Sequence, residues 1–154
     1  MKRTEFSINQ TDFISLAEEI TGKGKSFTFR AMGGSMSPFI RDGDTILITP
    51  IQGKLRTGDI VLIKAEDGKV LLHRVVRKDK AGLITRGDSN MEIDGTFPES
   101  QIVGRVTKIT GQGFNFHLKN PFRYMIAKRV FYTPRLSRIP VLRSILKTIA
   151  QILG

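Results

Sequence analysis

Val70-Leu71-Leu72-His73-Arg74-Val75-Val76-Arg77 is the stretch on which the reading of this 154-residue chain turns. It carries aliphatic residues on both faces of an extended chain, the pattern of a central strand covered from both sides. His73 falls on the same face as Leu71 and Val75. Similar short runs rich in Val, Ile, Leu, Thr and Phe surround it: Phe27–Arg30, Thr45–Thr49, Asp59–Lys64, Leu83–Arg86, Ile102–Thr110 and Phe114–Leu118. They are separated by the turn-forming pairs Asp42-Gly43, Thr57-Gly58, Asp67-Gly68, Ala81-Gly82 and Asp94-Gly95, and by Gly111-Gln112-Gly113. No helical pattern intervenes, so the spacing predicts a mainly β, antiparallel barrel or sandwich and not a parallel α/β sheet.

The ends of the chain read differently. Phe13, Leu16, Ala17 and Ile20 recur at helical spacing after a Thr11 that can cap them, and Gly22 can end the helix. Beyond Asn120 the pattern is helical again, interrupted by Pro121, Pro134 and Pro140. Its last stretch puts Val141, Leu142, Ile145, Leu146, Ile149, Ala150 and Leu153 on one face, opposite Arg143, Ser144, Lys147, Thr148 and Gln151. The expected division is an N-terminal helix and linker at 1–25, a β-rich core at 26–120 and a basic amphipathic helical tail at 121–154.

Composition narrows the class. With 40% hydrophobic and 25% charged residues the chain can build a core and is not wholly disordered. It has no cysteine and only His73 and His117, which excludes disulfides, iron–sulfur clusters and thiol nucleophiles and leaves a poor ligand supply for a metal. No metal or other cofactor is expected. No apolar run reaches the roughly 18 to 20 residues of a membrane-spanning helix, and Met1 to Phe13 lacks the apolar stretch of a secretory signal. A cytoplasmic or peripheral membrane location is expected. The net charge of +11 is uneven: every Asp and Glu lies at or before Glu99, while ten Lys and Arg follow it. An acid-free basic tail suits an anionic partner, a membrane surface before nucleic acid because its stripe is aliphatic and not an aromatic platform.

Three segments could carry chemistry. Gly33-Gly34-Ser35-Met36-Ser37-Pro38 presents a serine on a sharply bent turn. A serine hydroxyl attacks an amide only when a neighbour takes its proton; alone it is a polar turn residue. His73 is the candidate base, since an imidazole titrates near neutrality, although a histidine on an apolar strand face is by default a hydrogen-bonded core residue. Arg86-Gly87-Asp88-Ser89-Asn90, followed by Asp94, offers two carboxylates, either of which could orient an imidazole. Asp44 and Asp59 need no role beyond turn formation.

Together with Arg41-Asp42-Gly43-Asp44 and Thr57-Gly58-Asp59-Ile60-Val61, these segments resemble the catalytic core of the signal peptidase and LexA-type serine peptidase superfamily, over about Phe27 to Thr110. Bacterial signal peptidases and LexA-like proteins of that superfamily carry a lysine at the His73 position. The archaeal and endoplasmic-reticulum signal peptidases carry a histidine, as here. The resemblance implies Ser35 as nucleophile, His73 as general base and then acid, and Asp94 completing the site, with Asp88 the second candidate. It also implies the Ser35 backbone N–H as oxyanion donor and Met36 and Pro38 as substrate contacts. Two features depart from it. An N-terminal membrane anchor is not evident, and Gly33 stands where many members carry a serine whose hydroxyl helps the oxyanion hole.

The implied function is a serine endopeptidase that cleaves an extended leader or signal segment from a peptide or preprotein. The alternative is a catalytically inactive or self-processing LexA-like module acting on a membrane surface or nucleic acid. Self-processing in that family uses an Ala-Gly bond upstream of the serine, and the one such bond here, Ala81-Gly82, lies within the expected core.

Overall fold

Eight strands form a single antiparallel sheet in the computed structural model, which describes residues 9–111 and 114–117. In chain order they are β1 (Phe27–Arg30), β2 (Thr45–Thr49), β3 (Ile60–Lys64), β4 (Val70–Lys78), β5 (Leu83–Arg86), β6 (Gly95–Phe97), β7 (Ile102–Gly111) and β8 (Phe114–His117). Their order across the sheet is β1-β2-β7-β3-β4-β5-β6, with β8 pairing the far part of β7. The long β7 is the seam: its residues from Arg105 to Thr110 pair with β2, and Ile102, Gly104 and Arg105 pair with β3. The expected mainly β antiparallel fold is the observed one. Strand β6 and a single 3-10 turn at Glu99–Gln101 are additions to the sequence reading.

β3 explains why the sheet is buried on both faces. Ile60, Val61, Leu62 and Ile63 are all at or below 1% exposure. Alternation sends Ile60 and Leu62 into a cluster with Ile46, Ile48, Val106 and Ile109, and sends Val61 and Ile63 into a second cluster with Val75, Leu83, Phe97 and Ile102. β4 lies between β3 and β5, the interior place that its two apolar faces predict.

The helix α1 (Gln10–Gly22) covers the first cluster. It is capped by Asn9, whose side chain accepts from the Asp12 N–H at 2.8 Å, and not by Thr11 as expected. The buried face is correspondingly turned: Ile14 and Ala17 enter the core, while Leu16 is 46% exposed. Phe13 stacks edge-on against Phe27 and Phe29 of β1, and Lys64 of β3 pairs with Glu18 at 2.8 Å. The expected tail helix at 121–154 lies outside the described residues, and none of the helices among those described is long and apolar enough to cross a membrane.

Candidate active site

The connection from β1 to β2 builds the turn that carries Ser35. Asp42 Oδ1 accepts the Gly33 N–H at 2.8 Å, and Gly33 has φ of +85°, a conformation that strains any side chain. The chain bends there and leaves Ser35 half-buried. Beyond it Met36, Phe39 and Ile40 are buried in the first core cluster, and Pro38 is buried as well. Met36, 3% exposed, and Pro38, the two residues expected to touch substrate, are thus both buried beneath the turn. The aspartates of the neighbouring turns do what turn residues do: Asp44 Oδ2 accepts the Arg41 N–H and Asp59 Oδ2 the Arg56 N–H, each at 2.8 Å.

His73 stands in the middle of β4, opposite Val61 of β3. Its Nε2 is 2.9 Å from Ser35 Oγ and its Nδ1 is 2.7 Å from Asp94 Oδ2. Sheet register brings Asp94 there. Val75 of β4 pairs with Thr85 of β5, Thr85 pairs with Gly95 of β6, and the Asp94 N–H donates to the Thr85 carbonyl at 2.9 Å. The Thr85 hydroxyl then donates to Asp94 Oδ2 at 2.8 Å from a fully buried position. An ionised carboxylate only accepts, so Nδ1 carries the ring proton and the Nε2 lone pair faces the serine hydroxyl. Hydroxyl, imidazole and carboxylate in series can move a proton off Ser35 and hold the resulting imidazolium.

The second carboxylate points elsewhere. Asp88 grips Arg74 with both oxygens, Nε to Oδ1 at 2.7 Å and Nη2 to Oδ2 at 2.6 Å. Arg74 also donates through Nη1 to the Gly58 carbonyl at 2.9 Å and lies over the Phe39 ring at 4.9 Å from its centroid. Of the two candidates, Asp94 meets His73 and Asp88 meets the residue after it.

The loop holding Asp88 also holds the serine turn. The Ser89 N–H donates to the Ser35 carbonyl at 2.9 Å, and the Ser89 hydroxyl lies 2.9 Å from that oxygen and 3.0 Å from the Gly34 carbonyl. Gly87 makes this approach possible, because a Cβ there would sit 2.7 Å from the Ser35 carbonyl oxygen. Thr85, Arg74 and Ser89 had no role in the sequence reading. Arg74 and Asp88 carried a signal in their opposite charges, one on β4 and one in the loop after β5, whereas Thr85 reads as an ordinary strand residue. Among the described residues no group of three His, Cys, Asp or Glu side chains could hold a metal ion.

A family model described as Peptidase S24-like matches residues 3–107. The chain belongs to the Peptidase S24-like family. Over 65 residues this Peptidase S24-like chain is 32% identical to the signal peptidase complex catalytic subunit SEC11 of Zygosaccharomyces rouxii. That stretch is 38% of the present chain and covers 39% of the yeast protein's length. The two matches agree on the signal peptidase and LexA-type serine peptidase superfamily.

Proposed function

We propose that this chain is a serine endopeptidase that cleaves an extended peptide or preprotein segment with Ser35, His73 and Asp94. The observation that carries the reading is the unbroken hydrogen-bonded series from Ser35 Oγ through both nitrogens of His73 to Asp94 Oδ2, at 2.9 and 2.7 Å. In this mechanism His73 Nε2 takes the Ser35 proton as Oγ bonds to the scissile carbonyl carbon, and the carbonyl oxygen gains the negative charge. Asp94 stabilises the imidazolium. As the tetrahedral species collapses the C–N bond breaks, and Nε2–H gives its proton to the leaving amine. Water, deprotonated by the same nitrogen, then attacks the Ser35 ester, releasing the carboxyl product and returning the proton to Oγ.

Self-processing fits the chain less well. Ala81-Gly82 is in the turn between β4 and β5, beyond Lys78, five residues along β4 from His73. At about 3.3 Å per strand residue that is about 16 Å from the base. A peripheral attachment to an anionic membrane, through the basic residues after Glu99, belongs to the same proposal.

The test is incubation of the full chain with a diverse peptide library, read by mass spectrometry, beside Ser35→Ala and His73→Ala. The expected result is cleavage at a recurring sequence by the wild type and by neither variant, with all three folded. Equal cleavage by Ser35→Ala, or none by the wild type, overturns the reading.

A further inference from the structure

The two hydrogen bonds that matter most for a serine's oxyanion site are not made by the serine side chain. Gly34 C=O and Ser35 N–H belong to one peptide unit, which is planar and trans, so the oxygen and the hydrogen point in opposite directions. Whatever holds that oxygen also aims that hydrogen. In this chain two donors hold the Gly34 oxygen, the Ser37 N–H within the turn and the Ser89 hydroxyl from the facing loop, each at 3.0 Å. The same hydroxyl shares its hydrogen with the Ser35 oxygen at 2.9 Å, and the Ser89 N–H reaches that oxygen too, so Ser89 ties the peptide units on both sides of Ser35 to the facing loop, beside the bond that Ser37 makes within the turn. The Ser35 N–H donates to no carbonyl among the described residues, which leaves it for a ligand.

Two further observations make this contact consequential. Gly33 has no side chain to offer a hydroxyl of its own, and its left-handed backbone disfavours acquiring one. The Ser35 N–H therefore carries more of the oxyanion's stabilisation, and its direction matters more. Ser89 is itself held firmly, since Asp88 beside it is clamped by Arg74 and the Asn90 N–H closes the loop on the Gly87 carbonyl at 3.0 Å.

We propose that Ser89 is a positioning residue for the peptidase reaction: its hydroxyl, through the Gly34 carbonyl, aims the Ser35 N–H at the developing oxyanion. This rests on the serine peptidase reading above. Ser89 is exposed and outside both core clusters, so its hydroxyl can be removed without opening a cavity.

The experiment compares wild type, Ser89→Ala and Ser89→Thr on a peptide cleaved by the wild type, with Ser35→Ala as the blank. It also measures binding of that peptide's C-terminal aldehyde, which forms a tetrahedral adduct, and of the uncleaved peptide to variants carrying Ser35→Ala. Ser89→Ala is expected to lower kcat roughly ten-fold, short of the 10²–10³ lost when an oxyanion donor is removed outright. KM, binding of the uncleaved peptide and melting temperature should stay at wild-type values, and aldehyde affinity should fall in step with kcat. Ser89→Thr, which keeps the hydroxyl, should retain most of the rate. A kcat for Ser89→Ala within two-fold of wild type overturns the assignment while leaving the peptidase reading intact, as does a loss confined to KM. Failure of the wild type to cleave any peptide overturns the reading beneath it.

Discussion

Arg74 and Asp88 face each other as a two-pronged ion pair inside the protein, with side chains 6% and 4% exposed and two contacts of 2.6 and 2.7 Å. The pair joins the strand that carries His73 to the loop that grips Ser35. Removing one partner strands the other charge away from water, a change that ordinarily costs about 3–5 kcal/mol. Arg74→Ala is therefore expected to lower the melting temperature strongly, with Asp88→Asn following in the same direction. Unchanged melting of both variants would count against a structural role for the pair.

Asp94 acts on rate and not on stability in this account. Asp94→Asn is expected to reduce kcat by about 10²–10⁴ with little change in KM, because an amide can present its N–H to the ring and favour the wrong tautomer. A near-silent Asp94→Asn, beside an Asp88→Asn that loses turnover without losing stability, would reverse the assignment of the two carboxylates.

Hydrolysis should rise with pH to a plateau. A protonated imidazole has no lone pair on Nε2 to accept the Ser35 proton, so the acid form is inactive. His73→Lys is expected to keep a trace of activity and to move the rising limb to higher pH, since an ammonium surrenders its proton less readily than an imidazolium. A profile for His73→Lys that superimposes on the wild type would remove His73 from the mechanism.

At the β3–β4 turn the Lys69 side chain, and then its backbone N–H, hold the Asp67 carboxyl below the usual carboxylate range. Because this value is lowered on folding, the associated stabilisation is present above the ordinary carboxylate pKa and fades as pH falls through the lowered one. Both side chains are exposed, so the effect is local. An NMR titration should find the Asp67 carboxyl moving up in Lys69→Ala; an unmoved titration would contradict the contact.

The basic tail gives a prediction about surfaces. Its Lys and Arg residues are each worth roughly 1 kcal/mol beside an anionic bilayer, less where salt screens them. Deleting residues 141–154 is expected to abolish co-sedimentation with anionic vesicles while leaving peptide hydrolysis and melting temperature in place. Equal sedimentation with a large fall in melting temperature would mean that the stripe packs on the β core.

How far these features were legible in the sequence depends on the physics behind each. β1, β2 and β5 have the expected bounds because turn-forming Gly and Asp residues cut them sharply. β6 escaped because three residues beginning with glycine show no alternation. The α1 stripe was misdirected by Leu16, an apolar residue that stays at the surface while Ile14 turns inward. Ser35 and His73 stood out through motif resemblance, and their nearness to Asp94 is a product of register across β4, β5 and β6, which no local pattern encodes. Met36 and Pro38 follow closely on Ser35 in sequence, and their burial depends on the fold of the turn, which the motif does not encode.

The two-sided burial of β3 has a bearing on how the protein comes apart. Ile60 and Leu62 serve one cluster and Val61 and Ile63 the other, so neither half can open without wetting the strand that the other half needs. Melting should accordingly be a single step, with the β3 amides among the slowest to exchange with deuterated water. Ser35, next to Met36 of one cluster, and His73, paired with Val61 of the other, therefore lose their places together, and no half-open form keeps one of them set without the other.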